Sequence, residues 1–366
     1  MKKKIIIIIL GIVGILVVNY LKSGNDTNNE SAQDIIEDFD NNTVNSDENN
    51  SAMEDQDSKT TKSDKVTIGF YNVENLFDIY DDPQTSDNEF TPYGEKRWDE
   101  TRYEDKLNAI SDVILDMDGD NGPAFLGLAE IENYEVLEDV INTRDLKNNK
   151  YKIIHADNSD TRGIDVAAIY RSDIFEKVDY TYYKVPDLYT RDILHVEGKI
   201  YGQPTVHYFV THWPSRRKGT KETEYKRIEV ANLLRSKIDI LLDNNPDERI
   251  IVMGDFNDEP SNKAVKQIIA KSDFYNLYSR FESGNGTVNH QGEWLVFDQI
   301  LVSTSLLDDK NYNLTKKSGF IYNDESVTFT HRDGNTVPSR TYGGPKYYGG
   351  TSDHYAVYLK MTVKHL

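Results

Sequence analysis

The sequence has 366 residues and a formal net charge of −20, because 42 Lys and Arg face 62 Asp and Glu. With 37% hydrophobic and 28% charged residues it is typical of a soluble globular protein rather than a polytopic membrane protein, and a globally basic surface for polyanions is excluded. Because the chain has no cysteine, thiol catalysis, Cys-ligated zinc, disulfide bonds and a cysteine-based lipid anchor are excluded as well.

The N-terminal residues 1–24 predict a membrane-targeting segment. Lysines at positions 2–4 precede an unbroken apolar run, Ile5–Val18, that is extended by further apolar residues to about 17, the lower limit for spanning a bilayer. No small-residue cleavage site follows. The pattern favours an uncleaved signal anchor, with a cleaved signal peptide as the alternative, and it places the rest of the chain outside the cell.

Residues 25–64 predict a disordered acidic linker. They carry a charge of −10, half of the total, and Phe39 is their only aromatic residue. Such a segment buries too little apolar surface to offset the entropy lost on ordering. The folded domain is therefore predicted to comprise residues 65–366.

The sequence of this domain predicts a layered α+β fold. Thr101–Met117 and Glu222–Leu242 carry apolar residues at helical spacing, so they predict two long helices. Strands and helices do not alternate strictly, which argues against a parallel α/β sheet. Short apolar runs predict strands at Val66–Val73, Ala124–Ala129, Tyr151–His155, Ile164–Tyr170, Thr205–Thr211, Arg249–Met253, Leu295–Val302 and Tyr355–Met361.

Polar side chains collect at the ends of these strands. A carboxylate at such a position is costly unless it is paired or binds metal, and a set of acids, amides and histidines is how a metal-assisted hydrolytic site is built. Taken singly, each has a structural explanation, such as a turn for Asp255 and Asn257. The set comprises Asn72, Glu74, Glu130, His212, Asp255, Asn257, Asp298, Asp353 and His354.

The order of these motifs resembles the endonuclease/exonuclease/phosphatase superfamily, the deoxyribonuclease I-like fold, and within it the bacterial secreted endonuclease-like branch. The resemblance covers about 300 residues and implies a four-layered α/β/β/α sandwich, two mostly antiparallel sheets flanked by helices. Its motifs are Tyr71-Asn72-Val73-Glu74-Asn75-Leu76-Phe77-Asp78, Glu130-Ile131-Glu132-Asn133, Arg162-Gly163-Ile164-Asp165-Val166-Ala167, His212-Trp213-Pro214-Ser215-Arg216, Gly254-Asp255-Phe256-Asn257, Phe297-Asp298-Gln299 and Ser352-Asp353-His354.

The resemblance implies a divalent metal site. Glu130 matches the principal ligand, Asn72 is expected to support the ion or its water, and Asp353 is a further carboxylate on the metal side. Oxygen ligands without cysteine favour Mg²⁺ or Mn²⁺ over zinc. Ca²⁺ is a candidate for a structural site whose position the sequence does not give.

The resemblance also implies the catalytic groups. Asp255 and Asn257 are expected to position the attacking water, and His354 to act with Asp298, which stabilises its imidazolium form. His212 is expected to donate to a phosphate oxygen or to protonate the leaving group. The general base is left open between Asp255 and His354.

Basic side chains are the predicted contacts for substrate phosphates. By the resemblance, Arg162 contacts a phosphate through its guanidinium. Two further segments combine basic and aromatic residues close to the motifs, one with Arg216, Arg217 and Lys218 and the other at Arg340–Gly350. Basic groups that hold phosphates beside aromatic rings that stack on bases are typical of nucleic-acid binding.

Three classes of function remain open. The first is an extracellular, metal-dependent nuclease that acts on DNA, with RNA as the second candidate. The second is a phosphatase or sphingomyelinase-type phospholipase of the same fold. Against an inositol-phosphate phosphatase stands Val296-Phe297-Asp298-Gln299, where that group has Pro-Ala-Trp-Cys-Asp-Arg. The third, a non-catalytic surface protein, is disfavoured because every expected polar position is filled. The prediction is a monomer that contacts nucleic acid and, through its N-terminal segment, the membrane, with no protein partner.

Overall fold

The computed structural model describes residues 62–119, 121–143, 145–158, 160–281 and 286–366. The predicted signal anchor and nearly all of the predicted linker lie outside these residues. The first strand begins at Ser63, so the last two residues of the range predicted as linker pair with Lys364 and Val363. Within the described ranges no helix is both long enough and apolar enough to cross a bilayer.

Two sheets form the centre of the described chain. In the first, the order is β13-β19-β1-β2-β4-β3, and β14 also pairs with β19; only β1 and β2 run parallel. Its strands are β1 (Ser63–Leu76), β2 (Phe125–Ile131), β3 (Tyr151–Ile154), β4 (Asp165–Arg171), β13 (Tyr312–Asn313), β14 (Gly319–Tyr322) and β19 (Ala356–Lys364).

In the second sheet the order is β5-β6-β7-β8-β12-β9, and only β7 and β8 run parallel. Its strands are β5 (Phe175–Tyr183), β6 (Ile193–Ile200), β7 (Val206–His212), β8 (Ile250–Asp255), β9 (Phe274–Asn276) and β12 (Asp298–Ser303). Three short hairpins complete the set: β10 (Val288–His290) with β11 (Glu293–Leu295), β15 (Thr328–Thr330) with β16 (Thr336–Pro338), and β17 (Tyr342–Gly343) with β18 (Lys346–Tyr347).

The helices cover the outer faces of both sheets. Apolar residues of α1 (Glu100–Asp116) and α2 (Tyr134–Ile141) pack on the first sheet, while α3 (Thr220–Asn244) and a π-helix (Ala264–Ala270) pack on the second. A short α4 (Thr304–Leu307) follows β12. A third apolar cluster fills the space between the sheets. The predicted four-layered α+β sandwich is therefore confirmed.

The two helices predicted from sequence periodicity, α1 and α3, begin and end within two residues of their predicted limits. One predicted strand, Leu295–Val302, is interrupted. Residues 296–297 leave the sheet, because the hydroxyl of Thr287 accepts hydrogen bonds from the amides of Phe297 and Asp298 at 3.1 Å each. Because of this break, β12 begins at Asp298, the aspartate of the Phe297-Asp298-Gln299 motif.

Candidate active site

The candidate site lies where the apolar core between the sheets ends. Val210, Met253 and Ile300 are paired neighbours on β7, β8 and β12, and all three face the inter-sheet core. Two residues away on each strand, towards the same edge of the sheet and on the same face, the side chains are polar. These residues are His212, Asp255 and Asp298, which are again directly paired.

Asp255 is the centre of this polar row and is 1% exposed. Its Oδ2 atom lies 3.2 Å from the amide nitrogen of Asn72, which comes from the opposite sheet, and 3.4 Å from that of Asn257. Its Oδ1 atom accepts the backbone N–H of Asn257 at 2.8 Å. Burial raises the pKa of Asp255, although His354 opposes the shift. A side chain on neighbouring Gly254 would clash with a carbonyl oxygen of β7, so the close approach of β7 and β8 requires glycine.

His354 is joined to Asp298 at the mouth of the site. Its Nδ1 atom lies 2.8 Å from Oδ2 of Asp298, a carboxylate that is fully buried. Its Nε2 atom lies 3.9 Å from carboxylate oxygens of both Asp255 and Asp353. Burial alone lowers the pKa of His354, but Asp298 and Asp255 more than offset it and raise the pKa well above its usual value. The ring is therefore held as imidazolium.

His212 contacts the buried row rather than opening on solvent. Its Nε2 atom lies 3.3 Å from Oδ2 of Asp255, and its side chain is 3% exposed. Burial, reinforced by Arg191 and Arg162, lowers the pKa of His212 well below its usual value, so the ring is neutral. The structure thus places His212 beside Asp255, and its contact with a substrate phosphate stays a prediction.

Glu130 reaches the site from the end of β2. It interrupts the pairing of β2 with β4 and has a φ of +66°, a left-handed conformation that is sterically costly for a glutamate. Asn257 is held in the same region, with φ of +46°. The Glu130 Oε2 atom accepts the N–H of Asn75 at 2.9 Å. The bulge thus aims the carboxylate away from the sheet.

A cleft of about 320 Å³ opens over these residues. Glu74, Glu130, Asp353 and His354 are among its lining side chains. A larger hollow of about 840 Å³, lined in part by Trp294, contains none of the predicted site residues. The chemistry-bearing residues are therefore at the smaller, more acidic cleft.

The donor set of the cleft fits a hard divalent cation. In the described part of the chain, Glu130 and Asp353 form no salt bridge with a lysine or arginine. Carboxylate oxygens without thiolate are what Mg²⁺ and Mn²⁺ prefer. Asn72 is predicted to support the ion or its water; its amide oxygen accepts the N–H of Glu74 at 3.1 Å and its amide nitrogen donates to Asp255. Asn72 thus positions the two acids on either side of it.

A buried lysine that the sequence did not single out ties the cleft together. The ammonium of Lys106, on α1, donates to the carbonyls of Glu74 at 3.0 Å and Thr351 at 2.6 Å, and to the hydroxyl of Thr341. The Glu74 carboxylate accepts the N–H groups of Thr341 and Tyr342 at 2.6 and 3.2 Å. Burial lowers the pKa of Lys106. The only sequence signal was a lysine on the apolar face of a predicted helix.

Three arginines surround the cleft mouth. Arg162, Arg217 and Arg340 line it together with Tyr342, so both predicted basic segments contribute to one opening. The side chain of Arg162 is 43% exposed, and it lies 3.5 Å from Asp160. These guanidinium groups are available to an anionic substrate.

Arg216 and Lys218, predicted to bind substrate as well, do not line the cleft. The Arg216 guanidinium donates to the carbonyl of Asn257 at 2.7 Å and to Asp258 at 2.9 Å, and it lies 4.7 Å from the ring centroid of Phe297. Its donors are used within the protein, so its place in the structure is that of a residue that positions the Asp255 loop. Lys218 is exposed.

Residues 67–363 match the model of the Endonuclease/Exonuclease/phosphatase family. No curated protein matches the sequence. Among solved structures, a member of that family from Bacteroides thetaiotaomicron is 17% identical, covers 82% of this chain and 99% of its own, and superposes with a TM-score of 0.54.

Two further solved structures are similar. Humanized TDP2 from D. rerio is 14% identical over 81% of this chain and 98% of its own, with a TM-score of 0.53. A mannosyl-6-phosphatase from Bacteroides thetaiotaomicron is 17% identical over 81% of this chain and 99% of its own, also with a TM-score of 0.53. At these identities the likeness establishes the fold and leaves the substrate to the cleft itself.

Proposed function

Because the chain belongs to the endonuclease/exonuclease/phosphatase family, we propose that it is a divalent-metal-dependent phosphodiesterase that hydrolyses DNA with an activated water. The observation that carries this proposal is that Glu130 and His354 line one cleft, while the buried Asp255 lies 3.9 Å from Nε2 of His354. A buried acid, an imidazolium and an acidic metal-type donor set are the components of metal-assisted hydrolysis.

In the proposed reaction, a water oxygen attacks phosphorus and its proton passes to Asp255, while the bond from phosphorus to the leaving oxygen breaks. Asn72 orients Asp255 for this by donating to its Oδ2 atom at 3.2 Å, and Nε2 of His212 lies 3.3 Å from the same oxygen. His354, charged beside Asp298, donates its proton to the leaving oxygen. After the reaction the proton returns from Asp255 to Nε2 of His354, which lies 3.9 Å from Oδ2 of Asp255.

Glu130 and Asp353, with Glu74 behind them, would hold the divalent cation. When bound, Mg²⁺ or Mn²⁺ supplies neutralisation of charge on the non-bridging phosphate oxygens and the leaving oxygen. The chain's own contribution is rigidity: the Glu130 backbone is fixed at its bulge, and Lys106 holds Glu74 and the segment before β19.

DNA is the favoured substrate because the cleft mouth carries several cations. Arg162, Arg217 and Arg340 line it and offer guanidinium donors for several phosphates. A phosphomonoesterase acting on a compact substrate is the second candidate, because the cleft volume of about 320 Å³ would also accommodate a sugar phosphate.

The test compares turnover of plasmid DNA, RNA, sugar monophosphates and sphingomyelin by the full chain with Mg²⁺, Mn²⁺ or a chelator. The nuclease proposal expects DNA cleavage that is abolished by chelation. Rapid release of phosphate from sugar monophosphates with no DNA cleavage would replace it with the second candidate.

We also propose that the enzyme acts outside the cell and is held at the membrane by residues 1–24, on the strength of their lysines and apolar run. External protease should then release a catalytic fragment from intact cells. Recovery of the whole chain in the cytosol would contradict this location.

A further inference from the structure

A second cluster of metal-binding residue types lies on the other face of the second sheet. His195 and Glu197 are two residues apart on β6 and therefore share a face, and His207 on β7 is the direct partner of Glu197. Their neighbours Leu194 and Val196 face the inter-sheet core. The cluster therefore points away from that core, towards the side covered by α3.

The three side chains converge closely. The Nε2 atom of His195 lies 2.9 Å from Nδ1 of His207, and one ligand atom of each residue, including a Glu197 oxygen, lies within 4.8 Å of the others. Two nitrogens bound to one zinc at about 2.0–2.1 Å in tetrahedral geometry lie roughly 3.3 Å apart. A displacement of a few tenths of an ångström would therefore admit an ion between the rings.

The surroundings set the ring orientations that metal binding needs. Nε2 of His207 lies 3.5 Å from Oε2 of Glu248, so the Nε2–H group can point to this carboxylate. Nδ1 of His207 is then the unprotonated nitrogen that can bind a metal. The His195 ring stacks on Phe209 at 4.3 Å between centroids, and its Nδ1 lies 3.3 Å from the hydroxyl of Tyr183. Burial, and then His207, lowers the pKa of His195 to about 3, which keeps the ring in the neutral form that binds metals.

This cluster is separate from the catalytic cleft. His207 is the second residue of β7 and His212 the last, so they lie roughly 17 Å apart along the strand and on opposite faces of the sheet. A third group, His155 with Asp157 and Asp165, is less suitable, because His155 already pairs with Asp165 at 2.9 Å and the Asp157 side chain is 90% exposed.

We propose that His195, Glu197 and His207 bind a zinc-class transition metal ion that pins β6 to β7. Two imidazoles and one carboxylate favour Zn²⁺, Co²⁺ or Ni²⁺ over the Mg²⁺ expected at the cleft. Three protein ligands leave the fourth position to water. The site stands independently of the proposed nuclease activity.

The test is titration of the metal-free full chain with Co²⁺, followed by its visible absorption, since tetrahedral nitrogen-containing sites absorb far more strongly than six-coordinate oxygen sites. Excess Zn²⁺ should remove the band by displacement. His207→Gln should weaken Co²⁺ binding by roughly 100-fold or more, and Glu248→Gln by roughly 10-fold, the lower end of what loss of a supporting partner costs. Glu197→Gln provides a second ligand variant at a half-buried position.

The matched controls are His331→Gln, an exposed histidine, and Glu130→Gln, which changes the cleft. Both should retain the band and its affinity. A band that persists at parent affinity in His207→Gln and Glu197→Gln, that disappears in Glu130→Gln, or that never forms with the parent chain would overturn the proposal.

Discussion

Asp255 and Asp298 are directly opposed residues on neighbouring antiparallel strands, and the ring of His354 bridges the pair. It lies 2.8 Å from Asp298 through Nδ1 and 3.9 Å from Asp255 through Nε2. The two carboxylates are both fully buried yet differ in role, because only Asp298 is in hydrogen-bond contact with the imidazolium. For this reason we propose Asp255 as the proton acceptor.

The first prediction concerns this bridge. His354→Gln should lower kcat by about 10²–10⁴-fold, the usual contribution of an acid–base group, with normal folding. Asp298→Asn removes the charge that raises the pKa of His354, so the imidazolium form, and with it activity, should be lost at a lower pH than in the parent. The pH profile of kcat/KM measures this. An unchanged alkaline limb in Asp298→Asn would remove Asp298 from its positioning role.

The second prediction separates arginines that the sequence placed together. Arg217→Ala with Arg340→Ala should weaken DNA binding without regard to sequence and flatten its salt dependence by up to about 0.9 per lost phosphate contact. Arg216→Ala should instead destabilise the fold, because Asp258 and Asn257 lose its donors.

Binding isotherms at several salt concentrations, with urea midpoints for each variant, distinguish the two effects. Equal salt slopes in the parent and in the Arg217/Arg340 double variant would contradict the assignment of these residues to phosphates.

The strand-end residues of the site were predictable because alternation within a strand fixes which residues share a face. Asp255 and His212 follow directly from the apolar runs Ile250–Met253 and Val206–Thr211. The strand β5 was not predicted, because it is an edge strand with mostly exposed residues and lacks an apolar run. Alternation within a strand did not predict which polar groups form hydrogen bonds with one another.

Lys106 illustrates that limit. Its three acceptors lie on β1 and on the segment before β19, far away in sequence. Helical periodicity indicates that position 106 neighbours the apolar face of α1 but carries no information about those partners. Arg216 is the converse case. Its place in the motif that begins at His212 predicted substrate binding, whereas its hydrogen-bond partners lie within the protein.

The third prediction follows from Lys106. Lys106→Met keeps the aliphatic stem but removes the buried donor to the carbonyls of Glu74 and Thr351, so the free energy of unfolding should fall by roughly 1–3 kcal/mol for each acceptor left unsatisfied. Activity should fall too, since Glu74 and the segment before β19 lose their common anchor. Urea unfolding measures the first effect. The exposed variant Lys218→Met is the matched control, and equal stability of the two variants would contradict the assigned role.

The fourth prediction is a pH dependence of stability in the metal-free chain. His195 has a folded pKa of about 3 against 6.5 for an unperturbed histidine, so the unfolded chain binds the extra proton between these values. Stability should therefore fall as pH decreases from 6.5 towards 3, by up to about 2 kcal/mol from this residue at about pH 5. His195→Gln should lose less stability than the parent on acidification, by urea midpoint with chelator present. Parallel losses would contradict the prediction.

The most direct measurement of the central claim is single-turnover hydrolysis of a DNA phosphodiester by the parent chain, Glu130→Gln and Asp255→Asn, with Mg²⁺ and with a chelator. We predict cleavage only by the parent with metal, with a solvent oxygen appearing on the product phosphate, and a loss of at least about 10²-fold in each variant. Cleavage at the parent rate in Asp255→Asn, or in the parent with chelator, would contradict the assignment of this cleft as a metal-dependent hydrolytic site.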